Sequence, residues 1–323
     1  IGGAAFAKYI DQLKEQVKYS SEGLIILDGG NFFQGSTLGM ADDGLTMIEW
    51  MNRIGYDAMV LGNYDFVSGA NNINKLADIA TFPFLFSNLK CDNCPLISSN
   101  IKNYILKDFE GIKVGIIGIV NSKLDELVLA ENLSGLEVQK EIISANSWIN
   151  YLKSNGADLV IVLTSSGVPW NREEEYNKFI QKVNSNQINE TNSLNALEMG
   201  YYLDEADIIV AGGNSKGYPL PWYDPNSHVY VIQGYGGGTE FSHIKLVIDK
   251  ESHMLMKYET VIDGRASQTL LSDDFDASRS DSEWIKLKLE ETNKKYLLKE
   301  SIAKNTSNPL TLKNNDWDFP DFN

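Results

Sequence analysis

The feature that most constrains this sequence is a series of short apolar runs, each ending in a turn of glycine and small polar residues. Residues 24–27 run into Asp28-Gly29-Gly30-Asn31, and 58–61 into Gly62-Asn63-Tyr64-Asp65. Residues 158–163 lead to Thr164-Ser165-Ser166-Gly167, 207–210 to Gly212-Gly213-Asn214-Ser215, and 229–233 to Gly234-Tyr235-Gly236. The runs are strand-sized and, apart from a polar residue at an end, continuously apolar rather than alternating. That pattern predicts strands buried on both faces, as in a sheet covered by helices. Helical spacing fills several gaps. Phe6, Ile10, Leu13 and Val17 mark one amphipathic helix, and 46–54 and 71–79 read as two more. Further strands are expected at 84–86 and 113–120. The segments 229–233 and 243–248 are expected to close the domain as an antiparallel pair.

In sheets of this kind, ligands gather at the carboxyl ends of the strands. The polar turns are therefore where chemistry is expected. Glycine there permits tight turns and close backbone approach. Any one of these turns would pass for an ordinary strand-to-helix connection; the ordered series is more specific.

Charge and apolar patterning exclude two classes of partner. With 44 acidic against 28 basic residues the net charge is −16, which opposes nucleic acid and anionic lipid. No apolar run approaches the ~20 residues that cross a bilayer, so no transmembrane segment is expected. The two cysteines, Cys91 and Cys94, cannot complete a four-ligand zinc site by themselves. With Pro95 following at once they read as loop cysteines or a small local disulfide. Three Asn-x-Ser/Thr triplets occur, at Asn132, Asn189 and Asn305. They matter only in a chain that enters a glycosylating pathway.

The ordered turns resemble the metallophosphatase domain of 5′-nucleotidases, in the calcineurin-like metallophosphoesterase superfamily. The matching segments are Leu27-Asp28-Gly29-Gly30-Asn31-Phe32-Phe33-Gln34-Gly35, Gly62-Asn63-Tyr64-Asp65-Phe66-Val67, Leu163-Thr164-Ser165-Ser166-Gly167 and Gly212-Gly213-Asn214-Ser215. Gly2-Gly3, Tyr56-Asp57-Ala58, Ser87-Asn88-Leu89 and Val231-Ile232-Gln233-Gly234-Tyr235 support them. The resemblance implies an α/β fold: a four-layer α-β-β-α sandwich of two mixed sheets flanked by helices. It covers residues 1–264. An acidic linker and helix are expected over 265–304, and a polar, aromatic tail over 305–323.

The departures from that pattern are chemical. The resemblance puts Asn31 where the family has its bridging aspartate, and Asn63 where it keeps an asparagine ligand. Tyr64 stands for the catalytic histidine and Val67 for the aspartate that orients it. Ser165 and Asn214 replace metal-ligand histidines, and the family's opening Asp-x-His would lie before Ile1. Two divalent ions ~4 Å apart repel strongly without a bridging carboxylate, and such sites also need imidazole nitrogens. His228, His243 and His253 all lie away from the turns.

The expectation is therefore a non-catalytic protein with no metal and no catalytic residue. Its former cleft is lined by Asn31, Asn63, Tyr64, Ser165, Asn214 and Tyr235. The alternative is a phosphoesterase with an atypical or split site. A lesser alternative is one hard cation on oxygens of Asn31, Asn63, Asn214, Asp28 and Asp65, although the two aspartates read first as turn or helix caps. Protein partners are expected at the Trp170 and Trp222 loops and at Trp317, Phe319 and Phe322 in the tail. A small polar ligand is the further candidate for the cleft. The family resemblance implies a location outside the cytoplasm.

Overall fold

A computed structural model describes residues 3–35, 37–268 and 279–299. Four parallel strands form the first sheet in the order β1 (Leu27–Asp28), β2 (Ala58–Val60), β3 (Phe84–Leu85) and β5 (Ile101–Lys102). The second sheet is mixed, in the order β11 (Trp222–Tyr223), β12 (Tyr230–Ile232), β10 (Ile208–Ala211), β9 (Leu159–Thr164), β7 (Ile112–Ile119) and β6 (Tyr104–Phe109). Three small antiparallel ribbons complete the strands. They pair β4 (Leu89–Cys91) with β8 (Leu136–Val138), β13 (Phe241–Ser242) with β16 (Ser267–Gln268), and β14 (Ile244–Ile248) with β15 (Leu255–Thr260).

The helices are α1 (Gly3–Val17), α2 (Thr37–Met40), α3 (Leu45–Ile54), α4 (Gly69–Ile79), α5 (Leu124–Leu127), α6 (Glu141–Ser154), α7 (Arg172–Asn184), α8 (Ala196–Tyr202) and α9 (Arg279–Tyr296). None is long and apolar enough to cross a membrane.

The unbroken apolar strands now have a geometric explanation. Successive side chains of a strand point to opposite faces. Leu159, Ile161 and Leu163 of β9 join one core cluster with Met59, Phe84 and Leu85 of the first sheet. Their neighbours Val160 and Val162 join a second cluster with Ile142, Ile149, Phe179 and Leu197 from α6, α7 and α8. On the far side, Ile48, Met51, Ile73 and Leu76 of α3 and α4 cover the first sheet. The layers are helix, sheet, sheet, helix, as the resemblance implied.

Several expectations need correction. The described first sheet is wholly parallel rather than mixed. Segment 24–27 forms a strand only at Leu27, which continues to Asp28 in β1; among the described residues β1 is an edge with β2 as its one partner. Ile26 instead donates its N–H to the Asp57 carboxylate at 2.7 Å. The expected pair of 229–233 with 243–248 does not form. β12 lies parallel to β10, whereas β14 turns back onto β15. The Asp249 carboxylate closes that hairpin by accepting from Glu251 N, Ser252 N and the Ser252 hydroxyl.

Sheet pairing also continues past 264, to Gln268 in β16. The last helix starts at Arg279 and ends at Tyr296, within the expected linker-and-helix region. It returns to the domain through Trp284 stacked on Trp50 (5.7 Å) and Arg53 Nε on Asp281 (2.6 Å). Cys91 and Cys94 are joined as a disulfide. Gly2, Asn305, Trp317, Phe319 and Phe322 lie outside the described residues.

Candidate functional site

The strand-end turns converge at one end of the two sheets. The β1 and β2 turns are tied chiefly by one side chain, Asp65, which is 1% exposed. Its Oδ2 accepts from Asn31 N (2.7 Å) and Gly62 N (2.9 Å), and its Oδ1 from Phe32 N (3.0 Å). Asn31 sits in the left-handed region (φ 61°), which asparagine tolerates. Its Oδ1 accepts from Tyr64 N at 2.9 Å. Asn63, Tyr64, Asp65 and Phe66 form one turn of 3₁₀ helix immediately after β2.

The two sheets meet here backbone to backbone. A Cβ on Gly212 would fall 2.2 Å from Gly29 O, so only glycine permits this approach of the β10 turn to the β1 turn. On the second sheet, Asn214 Nδ2 donates to Val168 O (2.9 Å), and Gln233 Oε1 accepts from Val168 N (2.7 Å). The structure thus brings Asn31, Asn63 and Tyr64 into one group, and Ser165 and Asn214 into a second. Tyr235 lies against Gly217 beside the second group. Tyr64 and Tyr235 are exposed at the rim, whereas the buried Ser165 hydroxyl finds no partner among the described residues. Val67 ends the 3₁₀ turn, with its carbonyl accepting from Asn132 Nδ2 at 3.0 Å.

Asp28 and Asp65 serve the backbone. Asp28 Oδ1 accepts from Gly30 N at 2.9 Å. Burial pushes the Asp28 carboxyl up to about 6, against the pull of that N–H. Burial likewise pushes Asp65 up to about 7, with the Asp28 charge adding to it and three backbone N–H groups opposing.

The linkage has a definite sign. Between the free-aspartate value of 3.8 and about 6 to 7, the folded chain holds protons that the unfolded chain has released. This contribution to stability is complete below the lower value and declines as pH rises through that window. Thermal melts should show this component, and Asp28→Asn should flatten the decline between about pH 4 and pH 6. An unchanged slope in that variant would refute the assignment.

A residue that sequence reasoning missed is Glu141, which is 0% exposed. Its carboxylate accepts from Ser122 N (2.7 Å), Leu194 N (2.9 Å) and Ser166 Oγ (3.2 Å), anchoring the β9 turn. In the sequence it is only an acidic residue opening a helix, an ordinary solvent-facing position.

Among the described residues, the donors at this end of the sheets do not fit a two-metal centre. The Asn31 oxygen accepts a backbone N–H, and so does each Asp65 oxygen. Among the described residues, no group of three or more His, Cys, Asp and Glu side chains is placed to hold a metal ion. The histidines are engaged elsewhere. His253 Nδ1 meets Asp158 at the amino end of β9 (2.9 Å), and His228 Nδ1 meets Tyr223 OH (2.6 Å) just before β12. His243 Nδ1 meets Tyr9 OH at 2.7 Å, and burial holds its pKa below the usual range.

No family profile matches the chain. Curated sequences do. The chain is 29% identical over 238 residues to a snake venom 5′-nucleotidase from Gloydius brevicauda, an alignment covering 72% of this chain and 38% of that one. A 5′-nucleotidase from Rattus norvegicus is 26% identical over 264 residues, covering 76% and 41%. The chain thus spans about two fifths of the length of these relatives. Among solved structures, a 5′-nucleotidase precursor from Thermus thermophilus superposes with a TM-score of 0.72 at 19% identity, covering 92% of this chain and 54% of that one. The calcineurin-like phosphoesterase YfkN from Bacillus subtilis gives 0.67 at 21% identity, covering 91% and 90%. The chain therefore has the calcineurin-like metallophosphoesterase fold and is related in sequence to 5′-nucleotidases.

Proposed function

We propose that this metallophosphatase-fold relative of the 5′-nucleotidases is a non-catalytic binding or scaffold protein whose strand-end cleft lacks the donors for a two-metal centre. The observation that carries this reading is the use of three cleft side chains, Asn31, Asp65 and Asn214, by the backbone. Asn31 Oδ1 and both oxygens of Asp65 accept backbone N–H groups, and Asn214 Nδ2 donates to a backbone carbonyl. Neutral amides cannot offset the repulsion between two divalent ions. Without metal there is no activated hydroxide. Tyr64 offers a phenol where the resemblance puts the histidine that protonates the leaving alkoxide, and a phenol is less suited than an imidazole to general acid catalysis.

The second reading, a phosphoesterase acting on phosphate esters, is favoured by the two sequence relatives described above, both of which are 5′-nucleotidases by name. An Asp-x-His pair on a segment before Ile1 would add one carboxylate and one imidazole. One purification separates the two readings. The natural full-length chain is titrated with Mn²⁺ and Zn²⁺ by calorimetry and assayed with a nucleoside monophosphate and p-nitrophenyl phosphate. The expected result is neither two-ion binding nor turnover above the blank. Two bound ions together with chelator-sensitive turnover would establish the phosphoesterase instead.

The same proposal includes a location outside the cytoplasm and a protein partner. The Cys91–Cys94 disulfide suits an oxidising compartment, and one relative is a venom protein. For the partner, Trp170 is 62% exposed beside the cleft and Tyr64 52%, and exposed aromatics favour recognition. Trp222 is less suited to this than its loop position suggested. It packs half-buried against Tyr176 at 5.0 Å.

A further inference from the structure

The geometry points to Asn189 as an acceptor for an N-linked glycan, the one described Asn-x-Ser/Thr triplet whose carboxamide is presented for that reaction. The triplet Asn189-Glu190-Thr191 lies in the connection between α7 and α8, and all three residues are exposed. Asn189 Oδ1 accepts from Thr191 N at 2.9 Å and from the Thr191 hydroxyl at 2.7 Å. The turn is closed from the other side by Asn189 N donating to Asn192 Oδ1 (2.8 Å) and Asn192 N to Asn189 O (3.1 Å). Both lone-pair directions of the carboxamide oxygen are thus taken by the threonine, while Nδ2 faces solvent with no partner among the described residues. The hydroxyl that defines the triplet is already on the asparagine it must assist.

Asn132, in Asn132-Leu133-Ser134, is the internal contrast. It is half-buried, and its Nδ2 donates to Val67 O at 3.0 Å. It also lines a polar cleft with Ser68, Asn71, Cys94 and Glu131. A glycan on Asn132 would break the Val67 bond and displace the cleft wall, whereas one on Asn189 disturbs no packed contact.

The donor is an oligosaccharide linked through pyrophosphate to a lipid. Asn189 Nδ2 attacks the anomeric carbon, and the new N–C bond forms as the C–O bond to the pyrophosphate breaks. The lipid pyrophosphate leaves with the electron pair, and one amide proton passes to a base of the transferase.

This inference rests on the extracytoplasmic reading above, so the test separates the two. The full-length chain is expressed in eukaryotic cells behind a foreign secretion signal, digested with an endoglycosidase, and mapped by peptide mass spectrometry. The expected result is a glycan on Asn189 in the secreted chain. Asn189→Gln and Thr191→Ala should each remove one glycan-sized gel step with secretion unchanged, while Asn132→Gln should remove none. A secreted chain with Asn189 unmodified overturns the assignment, as does a glycan step lost only in Asn132→Gln. Fractionation of the native chain reads its location independently. A cytoplasmic native chain alongside a glycosylated signal-bearing one would sink the location and leave the acceptor site standing.

Discussion

Asp65→Ala is expected to destabilise the chain by about 3 kcal/mol or more, because three backbone N–H groups lose their acceptor at once and each buried orphan costs about 1–3 kcal/mol. The donors are Asn31, Phe32 and Gly62, from the two turns that build the cleft. Loss of this clasp weakens the tie between the β1 and β2 turns, leaving the Asn31 Oδ1–Tyr64 N bond, so the damage falls on the candidate site first. Asp65→Asn is expected to be intermediate. An amide oxygen at the Oδ2 position keeps Asn31 and Gly62 satisfied but directs an NH₂ group at Phe32 N. Urea denaturation followed by circular dichroism measures both variants. A carboxylate kept for a bound cation, rather than for the backbone, would behave in the opposite way. Removing it would relieve an unpaired buried charge, and stability would hold or rise. A loss below about 1 kcal/mol in the alanine variant would refute the clasp.

Gly118→Ala should cost about 1–3 kcal/mol through overpacking. Gly118, in β7, marks a close approach of the second sheet to the first. A Cβ there would stand 2.5 Å from both the Cβ and the carbonyl oxygen of Leu85 in β3. The obstruction includes backbone, which no rotamer change can clear. Gly115, on the same strand, is the control. There the added methyl meets Leu152 Cδ1 at 2.8 Å, the far end of a flexible side chain, so Gly115→Ala should cost less. Denaturation midpoints at constant m-value compare the pair directly. A Gly118→Ala variant as stable as Gly115→Ala would mean that the sheets separate more readily than their packing implies.

These tests touch different layers of legibility. The buried strands were readable because every second residue of β9 faces one core and its neighbours face the other, which leaves no place for a polar residue. The strand-end turns were readable because close approach demands glycine, as at Gly29 and Gly212. Pairing was not readable for 229–233 and 243–248, since an apolar strand carries no mark of its neighbour. The hairpin that β14 makes instead is closed by the Asp249 carboxylate. The expectation that Asp28 and Asp65 cap backbone groups matches their hydrogen bonds. That Asp65 spans two separate turns had no signal in the sequence, because its donors lie up to 34 residues away. Glu141 was invisible for the same reason.

The sequence by itself determined the layered α/β architecture, the order of the turns at the strand ends, and the identity of the side chains there: amides, hydroxyls and phenols. Only the tertiary structure decided how those side chains are used. Whether an asparagine oxygen faces open space or a backbone N–H depends on chain segments far apart in sequence. Here the fold turns Asn31, Asp65 and Asn214 inward to satisfy its own backbone, while Asn189 is left with a carboxamide nitrogen facing water. Composition sets which hydrogen bonds are possible, and packing, by fixing which groups lose access to water, selects which of them must form.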